Sequence, residues 1–149
     1  MKIVVDTNII FSTLLNSNGT IGNILFNSDD IFEFYSCSYM KYEIQKHWAR
    51  LMKISRLSDE QLQISNFQVL SKLKFIDEAL IPVETWLKSE ELCKDVDIDD
   101  TDFVALTKFL RATLWTGDKV LYNGLKVKGF KRIFDTKELS LIRENKLKQ

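Results

Sequence analysis

The residues in this chain that could do chemistry are carboxylates lying at the edges of apolar runs. The densest group is Asp97-Ile98-Asp99-Asp100-Thr101-Asp102, directly ahead of Phe103-Val104-Ala105-Leu106. Another aspartate closes Leu114-Trp115-Thr116-Gly117-Asp118, and Asp6 follows the opening Lys2-Ile3-Val4-Val5. Glu43 stands between them in a segment with helical spacing. Gathered carboxylates repel, and each raises the proton affinity of its neighbours. A cation removes that repulsion. Oxygen ligands with no cysteine or histidine beside them suit a hard ion, Mg²⁺ or Mn²⁺. One or two such ions activate water and stabilise in-line displacement at phosphorus, with no need for a protein nucleophile. Asp6, Glu43, Asp100 and Asp118 are the candidate set.

The elements that must position these acids follow from apolar patterning. Lys2 to Val5 is a β-branched run expected as a buried central strand, which places Asp6 at a strand-to-helix junction. Ile9, Ile10, Phe11, Leu14 and Leu15 suit the next helix, and Ile21 to Phe26 another. Residues 31–37 are strand-like. Met40, Ile44, Trp48 and Leu51 keep helical spacing and predict one helix, with Glu43, His47 and Arg50 along another of its faces. Ser58-x-x-Gln61 is a capping box opening a further helix, with Ile64, Phe67 and Leu70 as core positions. Leu80-Ile81-Pro82-Val83 carries a strand signal, and residues 84–94 read as helix. Phe103, Leu106 and Leu110 mark a helix with one buried face, for which Asp100 is the expected N-cap. Ala112 to Trp115 reads as a short buried strand ending before Asp118. Lys131 to Phe134 is an edge-strand candidate ahead of a helical tail. Strands alternating with helices imply an α/β fold: a central, mainly parallel sheet of four to five strands flanked by helices, as one domain over residues 1–149.

Composition sets outer bounds. The 149 residues are 45% hydrophobic and 28% charged, ordinary globular material with enough length for a real core. Lys+Arg and Asp+Glu both number 21, so no global field attracts nucleic acid, although basic clusters occur at Lys41 to Arg56 and Lys126 to Arg132. Cys37 and Cys93 are too few for a zinc motif or a disulfide scaffold. No signal peptide and no bilayer-spanning apolar run is evident, which leads to the expectation of a cytoplasmic protein without a membrane partner.

The sequence resembles the PIN-domain ribonucleases, in particular the VapC-like toxins of toxin–antitoxin systems. Ile3-Val4-Val5-Asp6-Thr7-Asn8, the helix-borne Glu43, Asp97 to Ala105 and Leu114-Trp115-Thr116-Gly117-Asp118-Lys119 carry the resemblance, over almost the whole chain. It implies a PIN-like fold and a Mg²⁺- or Mn²⁺-dependent endoribonuclease acting on single-stranded RNA. Asp6, Asp100 and Asp118 would hold the metal, and Glu43 would complete the acid set or help position water. Thr7, Asn8 and Thr116 would support the site through hydrogen bonds. A cognate antitoxin and a homodimer are further implications of the resemblance. Asp97 is a plausible neighbouring acid, whereas Asp102 falls about 200° round the helix from Asp100.

Each acid also has an ordinary reading. Asp6 and Asp100 suit helix caps, Asp118 suits a turn, and Glu43 suits a solvated helix position paired with His47 or Lys46. The ordered set of four favours the metal site. The alternative function is a catalytically silent PIN-fold module that binds RNA or protein. A haloacid-dehalogenase-type phosphatase fits poorly, because Asn8 stands where that chemistry needs a second aspartate.

Overall fold

The computed structural model describes residues 1–149. Five strands form one sheet: β1 (Lys2–Val5), β2 (Glu33–Cys37), β3 (Leu73–Ile76), β4 (Thr113–Trp115) and β5 (Ile133–Phe134). Every pairing is parallel, and the spatial order is β3-β2-β1-β4-β5. Nine α-helices flank it: α1 (Thr7–Leu15), α2 (Thr20–Phe26), α3 (Tyr39–Lys46), α4 (Trp48–Ser55), α5 (Asp59–Leu70), α6 (Val83–Cys93), α7 (Thr101–Leu110), α8 (Lys119–Val127) and α9 (Thr136–Leu147). The expected α/β architecture with a parallel sheet is therefore the observed one.

The topology creates the site. From β1 the chain adds β2 and β3 on one side, then crosses to add β4 and β5 on the other. Crossovers leaving adjacent strands in opposite directions open a crevice beyond the carboxyl ends of those strands. Those strands are β1 and β4, which run directly into Asp6 and into Thr116-Gly117-Asp118. Ile3, Val4 and Val5 are fully buried, as are Leu114 and Trp115, so both sheet faces are covered here. Phe103, Val104, Ala105 and Leu106 of α7 are fully buried as well. The helix that follows Asp100 is thereby locked into the core.

Three expectations needed correction. Residues 40–51 form two helices, because the chain bends at His47, whose backbone (φ −104°, ψ 13°) leaves the helical region. Met40, Ile44 and Leu51 are still buried, so a bend between them leaves no mark on the apolar spacing. On α5 the core positions are Leu62 and Val69; Ile64 and Phe67 are exposed and Leu70 only packs against the core margin. Apolar residues surround this helix, and spacing alone does not choose the inward face. The strand expected at 80–83 lies instead at Leu73–Ile76, paired with β2. Glu78 to Leu80 form a 3₁₀ turn, and Pro82, which has no N–H to give a ladder, precedes α6.

Gly124 lets α8 approach the loop that carries the acids. A Cβ there would meet Val96 Cγ1 at 2.8 Å and Cγ2 at 2.9 Å. Alanine favours a helix interior by about 1 kcal/mol over glycine, but overpacking a tight contact costs about 1–3 kcal/mol. Gly124→Ala is therefore expected to destabilise the protein by about 1 kcal/mol net, read as a lower urea midpoint. A raised midpoint would show that the contact has slack.

Candidate functional site

Thr116, at the end of β4, is the hub of the site. Its hydroxyl donates to Asp6 Oδ2 at 2.8 Å and accepts from the Asp118 backbone N–H at 3.0 Å. The Asp6 N–H donates to the Trp115 carbonyl at 3.0 Å, which carries the β1–β4 ladder one residue past the strand and fixes Asp6 beside Thr116. Asn8, in the first turn of α1, adds a second tie. Its Nδ2 donates to Asp6 Oδ2 at 3.0 Å and to Thr116 Oγ1 at 3.3 Å, while its Oδ1 accepts from the Gly117 N–H at 2.9 Å. Gly117 accommodates this approach, since a Cβ would stand 3.3 Å from Asn8 Oδ1. Asp118 caps α8 through Oδ1, which accepts from Val120 N–H at 2.9 Å and Leu121 N–H at 3.2 Å. The ordinary cap reading of Asp6 fails, because its carboxylate forms no side-chain cap bond and is held instead by the Thr116 and Asn8 side chains.

Asp100 holds the cap position of α7, but the expected side-chain cap does not form. The backbone enters α7 through a 3₁₀ turn, Ile98 to Asp100, which Asp97 caps by accepting from the Asp99 N–H at 3.0 Å. Thr101 donates to the Ile98 carbonyl at 2.7 Å. The Asp100 carboxylate is thus released from helix duty, and its Oδ2 is buried with no hydrogen-bond partner. Oxygens of Asp97, Asp100 and Asp118 lie within 4.8 Å of one another. Burial, then the charges of Asp6, Asp97, Asp118 and Glu43, push the Asp100 carboxyl up to about 8. Asp6 is raised to about 6, mainly by burial and against the Thr116 hydrogen bond. An orphaned carboxylate oxygen facing other acids is costly unless a proton or a cation meets it. The donor set, all oxygen, fits a hard divalent ion.

Glu43 reaches the same region from α3. It accepts from the Thr7 hydroxyl at 2.6 Å, rather than pairing with His47 or Lys46. Burial raises its pKa first, with Asp99 and Asp97 adding to the rise. Asp6 and Glu43 stand outside the tightest carboxylate trio, in which Asp97 joins Asp100 and Asp118. Asp102 points elsewhere, with Cys37 and Glu78, as its helical angle requires. Three residues near the site carry little or no mark in the sequence: Lys119, Thr136 and Lys137. They line a cavity of about 280 Å³ that also touches Thr116 and Asp118. For Lys119 the sole signal is adjacency to Asp118; Lys137 comes from a distant segment and has none.

The raised carboxyls set a pH dependence for the metal-free protein. In the unfolded chain these groups ionise near 4. The folded state keeps protons on Asp6 and Asp100 to about 6 and about 8, so it binds more protons across that interval and stability falls as pH rises through it. In EDTA the melting temperature is expected to drop from pH 5 to pH 8. Asp100→Asn should flatten that profile, and Mg²⁺ should restore stability at pH 8. A wild-type profile as flat as that of Asp100→Asn would contradict the burial of this charge.

The family model for the PIN domain matches residues 4–139. No curated protein sequence matches the chain. Among solved structures, VapBC2 from Rickettsia felis, bound to a DNA fragment from their promoter, is similar with a TM-score of 0.67 at 18% identity. That likeness covers 91% of this chain and 98% of the other. PAE2754 from Pyrobaculum aerophilum gives a TM-score of 0.70 at 13% identity, covering 97% of this chain and 90% of the other. At such identities the likeness is one of fold, and it agrees with the parallel sheet and the crevice at its centre. With the family model spanning β1 through the start of α9, the chain belongs to the PIN domain family.

Proposed function

We propose that this chain is a divalent-metal-dependent endoribonuclease that hydrolyses phosphodiester bonds of single-stranded RNA, with residues 1–149 acting as one PIN-like domain. The observation that carries the reading is the buried, unpartnered Asp100 Oδ2 among the carboxylates of Asp6, Asp97 and Asp118. A protein that only binds RNA gains nothing from gathering groups that repel phosphate. Asp6, Asp100 and Asp118 would hold Mg²⁺ or Mn²⁺, with Asp97 at its edge. When bound, such an ion would supply an activated water and neutralise charge at phosphorus. Thr116 and Asn8 keep Asp6 oriented, and Thr7 holds Glu43 so that its carboxylate can position water or accept its proton. Such partners of ligands set orientation and basicity.

The fold likeness to VapBC2 supports a toxin role in a toxin–antitoxin pair with a cognate antitoxin protein as partner; a homodimer and action in the cytoplasm are parts of the same proposal. No helix is long and apolar enough to cross a membrane.

The test is cleavage of labelled single-stranded RNA in Mg²⁺, Mn²⁺ or EDTA. Wild type should cleave with either ion and not in EDTA. Asp100→Asn and Asp118→Asn should each lose more than about 100-fold, since groups that merely orient ligands are worth about 10–100-fold. Thr116→Val, which keeps shape but not the hydroxyl, should lose about 10–100-fold. Cleavage that survives EDTA and both Asn substitutions would refute the metal site. Metal binding with no cleavage of any RNA would leave a binding module in its place.

A further inference from the structure

The cavity beside Thr116 and Asp118 lies on the β5 side of the acids. Its walls are Gly117, Lys119, Tyr122, Asp135, Thr136 and Lys137, together with those two site residues. None of the other larger cavities touches the acid cluster. Each acid of its lining gives one oxygen to a helix start. Asp118 caps α8, and Asp135 caps α9 by accepting from the Glu138 N–H at 2.8 Å. Lys119 and Lys137 are exposed, and neither takes part in any ion pair. Thr136 Oγ1 accepts from Trp115 Nε1 at 3.1 Å, which leaves its own hydrogen for an acceptor. Both α8 and α9 begin at this wall, which brings their positive ends to the cavity that the lysines line. The cavity therefore offers three donors, two of them cationic, and neither lysine is paired with the remaining oxygens of Asp118 or Asp135.

An anion has to come close to this acid cluster if the proposed reaction is to occur, and the carboxylates repel it. Cations immediately alongside are the usual means of holding a phosphodiester in such a place. We propose that the cavity seats the RNA phosphate flanking the scissile one, gripped by Lys119 and Lys137 with the Thr136 hydroxyl as a third donor. The inference rests on the nuclease reading above and adds the direction in which the strand leaves the acids: over β4 and β5, between the starts of α8 and α9. A second cavity, lined by Ser12, Asn16, Thr20 and the same Thr136, continues this path with polar groups toward α1 and α2.

The test measures binding apart from cleavage. Fluorescence anisotropy of a labelled single-stranded RNA in EDTA gives affinity without turnover, for wild type, for Lys119→Ala/Lys137→Ala and for Lys146→Ala/Lys148→Ala. The last pair removes the same charge from the far end of α9. The cavity variant should bind on the order of tenfold more weakly, and its log–log salt slope should fall by about 1.4, as expected for two lost phosphate contacts on a single strand. In Mg²⁺ its loss in kcat/KM should be carried by KM. The distal variant should keep the wild-type slope. Equal slopes for the cavity variant and wild type, with wild-type cleavage intact, would overturn the phosphate seat alone. A wild type that neither binds nor cleaves RNA would overturn the seat and the nuclease reading together.

Discussion

Electrostatic repulsion among carboxylates brought together at the ends of β1 and β4 is the constraint around which this protein is built. Asp6, Asp97, Asp100, Asp118 and Glu43 all contribute, and Asp100 bears most of the strain because one of its oxygens has no partner. The surrounding structure opposes the separation those charges would otherwise drive. Fully buried Phe103, Val104, Ala105 and Leu106 anchor the helix behind Asp100. The Thr116 hydroxyl pins Asp6 and the backbone of Asp118 to one point. Apolar burial in the core is large enough to carry a local charge cost that is relieved by a proton or a cation. Such a site is held ready rather than relaxed, which is the usual arrangement where electrostatics does chemical work.

The hydrogen bonds around the site divide the labour. Asp118 spends one oxygen on capping α8, and Asp97 spends one on the turn before α7, so both carboxylates are oriented by backbone that cannot move far. Asp6 is oriented by side chains instead, through Thr116 and Asn8, and Glu43 through Thr7. Asp100 alone is placed by its backbone only. Burial and the charges of its neighbours, with no hydrogen bond to offset them, raise the proton affinity of Asp100 furthest among the acids.

Zero formal net charge does not settle how the proposed site would meet a polyanion. The charge that matters is local. Lys119 and Lys137 are far apart in the chain, yet β4 and β5 are neighbours in the sheet, and the helices leaving them start side by side. A parallel pair of strands thus brings two lysines and a hydroxyl to the flank of the carboxylates. The same geometry explains why charge counting along the chain singles out Lys41 to Arg56 and Lys126 to Arg132 and passes over these two.

Much of the architecture is legible in the sequence, because its determinants are local. The β-branched run ahead of Asp6, the Ser58-x-x-Gln61 box and the apolar face from Phe103 report on neighbours within a few residues, and those elements form as expected. Spacing also foretells that Asp102 turns away from Asp100. What spacing does not supply is anything decided by distant partners. The bend at His47 leaves the pattern of Met40, Ile44 and Leu51 untouched; the inward face of α5 is chosen by what packs on it; and Leu73–Ile76 is a strand because β2 offers it a ladder. Asp100 looks like a helix cap because local preference favours one there, but a preceding 3₁₀ turn removes that role. Sequence by itself determined which residue types stand at the ends of the strands and hence the chemistry available. Only the tertiary structure decided which oxygens are satisfied, which is left open and which cations share a cavity with Asp118, because those depend on segments far apart in the chain being brought to one edge of one sheet.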